Sequence, residues 1–318
     1  MALSLQQKIQ DPNQGVYMIG TTPPKQGTDR AQLETIANKL LARLHEIEYD
    51  GVIIYDIQDE SSRTQAPRPF PFKHTVDPCE YSQLIKELSH LDVITYKSVA
   101  QRDASQFNHW LSETKEKFGL DNLVLVGSPS STGDIKLSLP DAYKALAAHQ
   151  ESFFLGGVTI AERHASKKNE QQRLIEKTTQ GCEFFISQAV YNPQATIDLI
   201  TSYARTCKQQ GDIPKRIILT FTPCGGQKTL EFMEWLGISV PDATKWRMLD
   251  SENPLSESIR ICRENLDLIL QSCARLNVPL GLNIESLTNR KEEIDASINL
   301  YRLLKATMEL HLAEKQIA

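Results

Sequence analysis

Phe184-Phe185-Ile186-Ser187, an amphipathic run from Pro193 to Lys208, and then Ile217-Ile218-Leu219-Thr220 form the stretch on which the fold is decided. Each short apolar run, with no polar residue alternating through it, reads as a strand buried on both faces. Pro193 suits the first turn of a helix, where its missing N–H is one of the unpaired donors anyway. Two such strands joined by a helix make a parallel pair with the helix packed across it.

The same unit repeats in both directions. Toward the N-terminus the expected strands are Val16–Ile19, Gly51–Tyr55, Val93–Tyr96, Leu123–Val126 and Phe153–Val158. Between them lie helical patterns at Asp29–Ile47, Tyr81–Leu88, Ala104–Lys117, Pro140–His149 and, after a polar loop, Glu170–Thr179. In the first of these, Leu33, Ile36, Ala37, Leu40, Leu41 and Leu44 share one face at a period of 3.6, and Thr28 or Asp29 caps its start. Toward the C-terminus, Lys228–Leu236 and Ser256–Leu276 read as helices, Leu280–Ile284 as a strand and Lys291–Leu312 as a helix. About eight strand–helix units with no linker composition between them favour one α/β domain over residues 1–318, a (β/α)8 TIM barrel. An open doubly wound sheet is the alternative, because periodicity does not register closure. The first strand ends in Gly20-Thr21-Thr22-Pro23-Pro24 and carries no GxGxxG, which counts against a dinucleotide fold of that type.

Composition narrows the function. The 318 residues are 40% hydrophobic and 24% charged, enough apolar material for a sizeable core. A net charge of -5 argues against nucleic acid as a partner. No apolar stretch is long enough to span a bilayer, and MALSLQQKIQ lacks the basic and apolar regions of a secretion signal. Six scattered cysteines with no CxxC fit reduced thiols in the cytoplasm. No HExxH, EF-hand or Walker pattern supports a metal or a nucleoside triphosphate. Gly127-Ser128-Pro129-Ser130-Ser131 is not a nucleophile elbow.

In a TIM barrel the chemistry sits at the C-terminal ends of the strands. That rule nominates strand-end groups including Thr22, Tyr55, Asp56, Gln58, Thr95, Gly127, Ser128, Glu162, His164, Gln188 and Asn283. Gly156-Gly157-Val158-Thr159-Ile160-Ala161-Glu162-Arg163-His164 places a carboxylate and an imidazole in one segment, suited to proton transfer or to orienting a ligand. A salt-bridged surface loop around Arg163 is the plainer reading. Gln188 offers a donor and an acceptor to a heterocycle, or to a neighbouring loop. Gly225-Gly226-Gln227-Lys228 opens a helix and would either cradle a phosphate through backbone N–H groups or form a simple turn.

From Tyr17 to about Leu304 the chain resembles the methylenetetrahydrofolate reductase family. The resemblance rests first on Gly156–His164, similar to the family's glycine, tyrosine-proline-glutamate-x-histidine loop. It continues in Glu176-Lys177-Thr178-Thr179-Gln180-Gly181-Cys182 and the strand running to Gln188. Thr22-Pro23-Pro24-Lys25, Tyr55, Ser62-Arg63-Thr64, Thr95 and Leu125-Val126-Gly127 match in order. The resemblance implies a barrel that holds FAD and passes hydride from NAD(P)H to a folate or pterin-like substrate. It assigns Tyr55, Thr95, Gly127, Ser128, His164, Glu170, Arg173 and Lys177 to the cofactor, and Thr22, Gln188 and Gln227 to the substrate.

The departures concern the chemistry. The family's acidic glutamate corresponds to Gly20, its flavin-side aspartate to Ser128, the preceding arginine to Val126, and its third-strand histidine to Val93. Leu282-Asn283-Ile284-Glu285 replaces its tyrosine-threonine-leucine-asparagine strand end. Glycine carries no proton, so a reductase would need a relocated acid, with Glu60, Asp56 and Glu162 as candidates. Three functions remain open: a divergent oxidoreductase, a folate-binding or regulatory barrel without redox activity, and an unrelated enzyme on the same scaffold. A homo-oligomeric state is also open.

Overall fold

The computed structural model describes residues 3–61, 64–128 and 135–317. Ser62, Arg63 and the Pro129-Ser130-Ser131 segment lie outside these residues. The elements run α1 (Leu5–Gln10), β1 (Tyr17–Thr21), α2 (Arg30–Leu44), β2 (Gly51–Ile54), α3 (Pro78–Ser89), β3 (Asp92–Ser98), α4 (Ala104–Glu116), β4 (Asn122–Val126), α5 (Leu139–Ala147) and β5 (Phe154–Thr159). They continue with α6 (Ala161–Lys167), α7 (Glu170–Thr179), β6 (Cys182–Ala189), α8 (Pro193–Gln210), β7 (Arg216–Phe221), α9 (Gln227–Trp235), α10 (Asp242–Leu249), α11 (Pro254–Cys273), β8 (Leu280–Glu285) and α12 (Lys291–Ile317). The eight strands pair in chain order and close as a barrel, which decides against the open sheet.

Local chemistry accounts for the boundaries. Asp29 caps α2 by accepting the Gln32 N–H at 2.8 Å, and Asn192 caps α8 with Pro193 in its first turn. Three helices were not expected. The six-residue α1 is fixed by a Ser4/Gln7 capping box rather than by periodicity. α6 replaces the expected polar loop, and α10 buries only Met248. The buried face of α2 is narrower than expected: Leu33, Ala37 and Leu44 are buried, whereas Ile36 is 41% exposed.

Two compact units divide the chain. One comprises residues 1–18, 159–176 and 184–318; the other comprises 19–158 and 177–183. In the first, β6, β7 and β8 run parallel, α8 packs on α6 and α11, and α11 packs on α10 and α12. Arg216, at the start of β7, is 2% exposed and donates to the carbonyls of Lys8, Ile9, Asp11 and Leu280. Three of those carbonyls belong to the C-terminal end of α1, where unpaired carbonyls and the helix dipole favour a cation. In the second unit β2, β3 and β4 are parallel, and α3 packs on α2 and β3. There the loops after β1 and β2 are pinned by a Lys25–Thr75 bridge.

All six cysteines are buried and free. Among the described residues no helix is long and apolar enough to cross a membrane.

Candidate functional site

Gln188 stands on a β-bulge. Ile186 pairs with Ile218, but Ala189 pairs with Thr220, so β6 holds one residue more than β7 between these pairs. The Ser187 hydroxyl fills the gap in the ladder, accepting the Thr220 N–H at 2.9 Å and donating to the Gln188 carbonyl at 2.8 Å. A bulge re-aims the side chain that follows it. Gln188 Nε2 donates to the Leu236 carbonyl at 2.8 Å, and no hydrogen bond to a described residue is made by its Oε1. The segment after α9 is held twice more, by Asn192 Nδ2 on the Ser239 hydroxyl at 3.3 Å and by the Ser239 N–H on Glu162 Oε1 at 3.1 Å. Glu162 and Gln188 therefore meet over one segment. Between them and β7 lies a void of about 10 Å³, room for about one water, with the Thr159 hydroxyl unpartnered beside it. Burial pushes the Glu162 carboxyl above its ordinary range against the pull of two backbone N–H groups.

Because Ala161–Lys167 is helical, Glu162 and His164 do not share a face: residues two apart on a helix point about 200° apart. The shared loop in which the sequence reading set this carboxylate and imidazole is a helix, and the two do not act on one side of it. His164, 3% exposed, turns to α7 and α8 instead. Burial and the nearby Lys168 hold its ring below the ordinary imidazole range, so it is neutral at pH 7. Arg163 pairs with Glu170 at 2.9 Å, and the fully buried Glu170 also accepts the Ile160 N–H at 3.1 Å. Arg173 approaches the same carboxylate at 3.5 Å. This cluster ties the start of α6 to α7.

In the other unit Tyr55 and Tyr96 meet edge to face, centroids 4.8 Å apart. Asp56 clasps β2 to β3: its Oδ2 accepts the Ser98 N–H and its Oδ1 the Gln58 amide, both at 2.8 Å. Glu60 is half-buried and attracted to Arg68. Thr95 is fully buried and donates to the Ser82 hydroxyl at 2.7 Å. The Lys177 ammonium donates to the Val158 carbonyl. Gly20 is buried in β1, Thr22 is exposed beyond it, and Gly127 and Ser128 are half-buried after β4. Sequence reasoning passed over Lys97, a lysine within the β3 run. It is 3% exposed, bonded to Asp77 at 2.6 Å, and lies 5.7 Å from the Trp110 ring centre. Burial raises the Asp77 carboxyl, but Lys97, with the Cys79 N–H and Arg102, more than reverses this and leaves it below its ordinary value.

Of the two readings of Gly225-Gly226, a phosphate cradle or a simple turn, the cradle is already filled. The Gly225 N–H donates to Glu293 Oε1 at 3.0 Å, and the Thr229 and Thr288 hydroxyls donate to the same carboxylate. Glu293 is 1% exposed, so the chain's own carboxylate stands where the cradle reading would put an anion. Gln227 is exposed and bonds Glu231 at 2.8 Å along α9. Among the described residues no group of three or more His, Cys, Asp or Glu is placed to hold a metal ion.

No family model matches the chain. No curated protein matches it either. Among solved structures, a GH113 β-1,4-mannanase complex superposes with a TM-score of 0.50 at 14% identity, covering 92% of this chain and 99% of that one, a likeness of fold alone. A protein from Clostridium thermocellum that binds two copies of 5-methyl-5,6,7,8-tetrahydrofolic acid superposes with a TM-score of 0.82. It is 34% identical, with 96% of this chain and 99% of that one covered. At that identity over nearly the whole of both chains, this protein belongs to the same family as the Clostridium thermocellum protein.

Proposed function

We propose that the protein binds a reduced folate of the 5-methyltetrahydrofolate class, with Gln188 as the polar anchor for the pterin. The observation that carries this reading is the 34% identity, over 96% of the chain, to a protein that binds that ligand. The bulge supports the assignment of Gln188, because it holds the amide by Nε2 and leaves Oε1 for a pterin N–H. Titration calorimetry with 5-methyltetrahydrofolate is the test. The wild type is expected to bind, and Gln188→Ala to weaken one site by about tenfold or more. Absence of binding to any reduced folate overturns the reading.

The side chains that the resemblance gives to FAD do not fit a flavin as a set. Thr95 is bonded to Ser82, Lys177 to Val158 and Glu170 to Arg163 and Ile160, so three of the expected contacts are spent inside the protein. A second reading is an NAD(P)H-dependent, reductase-like enzyme acting on methylenetetrahydrofolate, the chain being similar in sequence to that family. One observation favours it. Glu162 is a half-buried carboxyl held toward its protonated form over the same segment as Gln188, the property needed of an acid relocated from the position of Gly20. Spectroscopy separates the two readings. A colourless protein that ignores FAD and leaves NADH unoxidised with methylenetetrahydrofolate supports binding alone; a retained flavin bleached by NADH, or oxidation of NADH without flavin, supports the reductase.

A further inference from the structure

Three side chains converge on the four residues from Leu236 to Ser239. Gln188 Nε2 donates to the Leu236 carbonyl at 2.8 Å, Asn192 Nδ2 donates to the Ser239 hydroxyl at 3.3 Å, and Glu162 Oε1 accepts the Ser239 N–H at 3.1 Å. The chain reverses here. Leu236 closes α9, Gly237 follows in left-handed backbone at φ +81, and the Gly237 and Ile238 N–H groups bond back to the Glu234 and Met233 carbonyls. No described backbone N–H reaches the Leu236 carbonyl, one of the acceptors that a helix end leaves over, and Gln188 supplies its donor. That bond decides what Gln188 offers a ligand. A terminal amide takes either of two orientations about its last torsion, presenting an NH2 in one and a carbonyl oxygen in the other. The Leu236 carbonyl accepts only from Nε2, so Oε1 is the atom kept for the pterin N–H. With the carbonyl displaced, the amide is free to turn and to set donor against donor.

We infer that Glu162 is a positioning residue for ligand recognition: by holding the Ser239 N–H it fixes the 236–239 segment, and through the Leu236 carbonyl it keeps Gln188 Oε1 turned to the ligand. The inference rests on the folate reading above and adds to it a residue that acts through Gln188. Gln188 and Asn192 both leave from the end of β6, so their bonds tie the segment to one element only. Glu162 ties it to a second, from the first turn of α6. That turn is itself anchored, because the fully buried Glu170 holds the Ile160 N–H at 3.1 Å and Arg163 at 2.9 Å. A carboxylate on a backbone N–H is a charge-assisted bond, stronger than the two neutral amide bonds beside it. Gly237 makes the added tether matter, since a glycine between Leu236 and Ser239 gives the backbone more freedom than any other residue.

A double-mutant cycle read as Kd for 5-methyltetrahydrofolate tests this. Glu162→Met removes the acceptor while keeping the bulk of the side chain, and should weaken binding about tenfold. Glu162→Asp draws the carboxylate back by one methylene at little risk to folding, and should weaken it about threefold to fivefold. Glu162→Gln, which keeps an acceptor for the Ser239 N–H, should recover most of the affinity lost in Glu162→Met. Beside Gln188→Ala, each of the first two substitutions should add less than about twofold, because the residue it acts through is gone. A role in stability alone would lower the melting temperature and leave the Kd of the folded protein unchanged. Losses that add in the double variants overturn the inference, as does a Kd that neither Glu162→Met nor Glu162→Asp alters. In both cases a wild type that binds, weakened by Gln188→Ala, leaves the folate reading standing. A wild type that binds no reduced folate removes the reading and the inference together.

Discussion

A methyl group added at Gly225 would sit 2.3 Å from Glu293 Oε1, inside any tolerable contact. The carboxylate cannot retreat cheaply, because it also accepts Thr229 and Thr288. Gly225→Ala is therefore expected to cost about 2–3 kcal/mol in denaturant unfolding, through crowding and the displaced N–H bond. The glycine pair was legible in the sequence as a source of free N–H groups. What takes up the Gly225 N–H was not, because Glu293 lies 68 positions away and only the fold brings it there. Glu162 makes a prediction of opposite sign. Its carboxyl titrates higher in the folded chain than in the unfolded one, so it weakens stability as pH rises from the unfolded value of about 4.3 through the folded one. Glu162→Gln keeps an acceptor for Ser239 and removes that penalty. The variant should melt higher than wild type near pH 7, and the difference should shrink to nothing near pH 4; a difference independent of pH would contradict the burial argument.

At the scale of elements, long periodic or apolar segments were readable and short or partner-dependent ones were not. Asp29 and Pro193 marked helix starts through local chemistry alone. α1, α6 and α10 have six, seven and eight residues, too few turns for a face to emerge from periodicity. Missing α6 mattered most, since it set Glu162 and His164 in one loop rather than on different faces of a helix. The bulge at Ser187–Gln188 was invisible for another reason: it exists only as a mismatch between β6 and β7. Ser187→Ala removes the hydroxyl that bridges this mismatch, and should weaken folate binding at Gln188 about tenfold while shifting unfolding by only about 1 kcal/mol. Arg216 carries the reverse balance. Arg216→Met strips four carbonyls of their donor and loosens α1, so it should cost about 3 kcal/mol or more in unfolding and leave folate affinity unchanged.

For the whole molecule, eight apolar runs each followed by a helix were enough to expect the barrel, whereas its closure emerged only from strand pairing. The resemblance to methylenetetrahydrofolate reductases pointed to one-carbon chemistry, and its departures at Gly20 and Ser128 pointed away from the usual reaction. Kinship with a protein that binds 5-methyltetrahydrofolate sits with both observations, since binding asks less of the chain than hydride transfer. The most direct test is a crystal structure of the protein grown with 5-methyltetrahydrofolate. The account predicts electron density for the ligand with its pterin within hydrogen-bond reach of Gln188 Oε1. A ligand bound only elsewhere, with no contact to Gln188 Oε1, would contradict it.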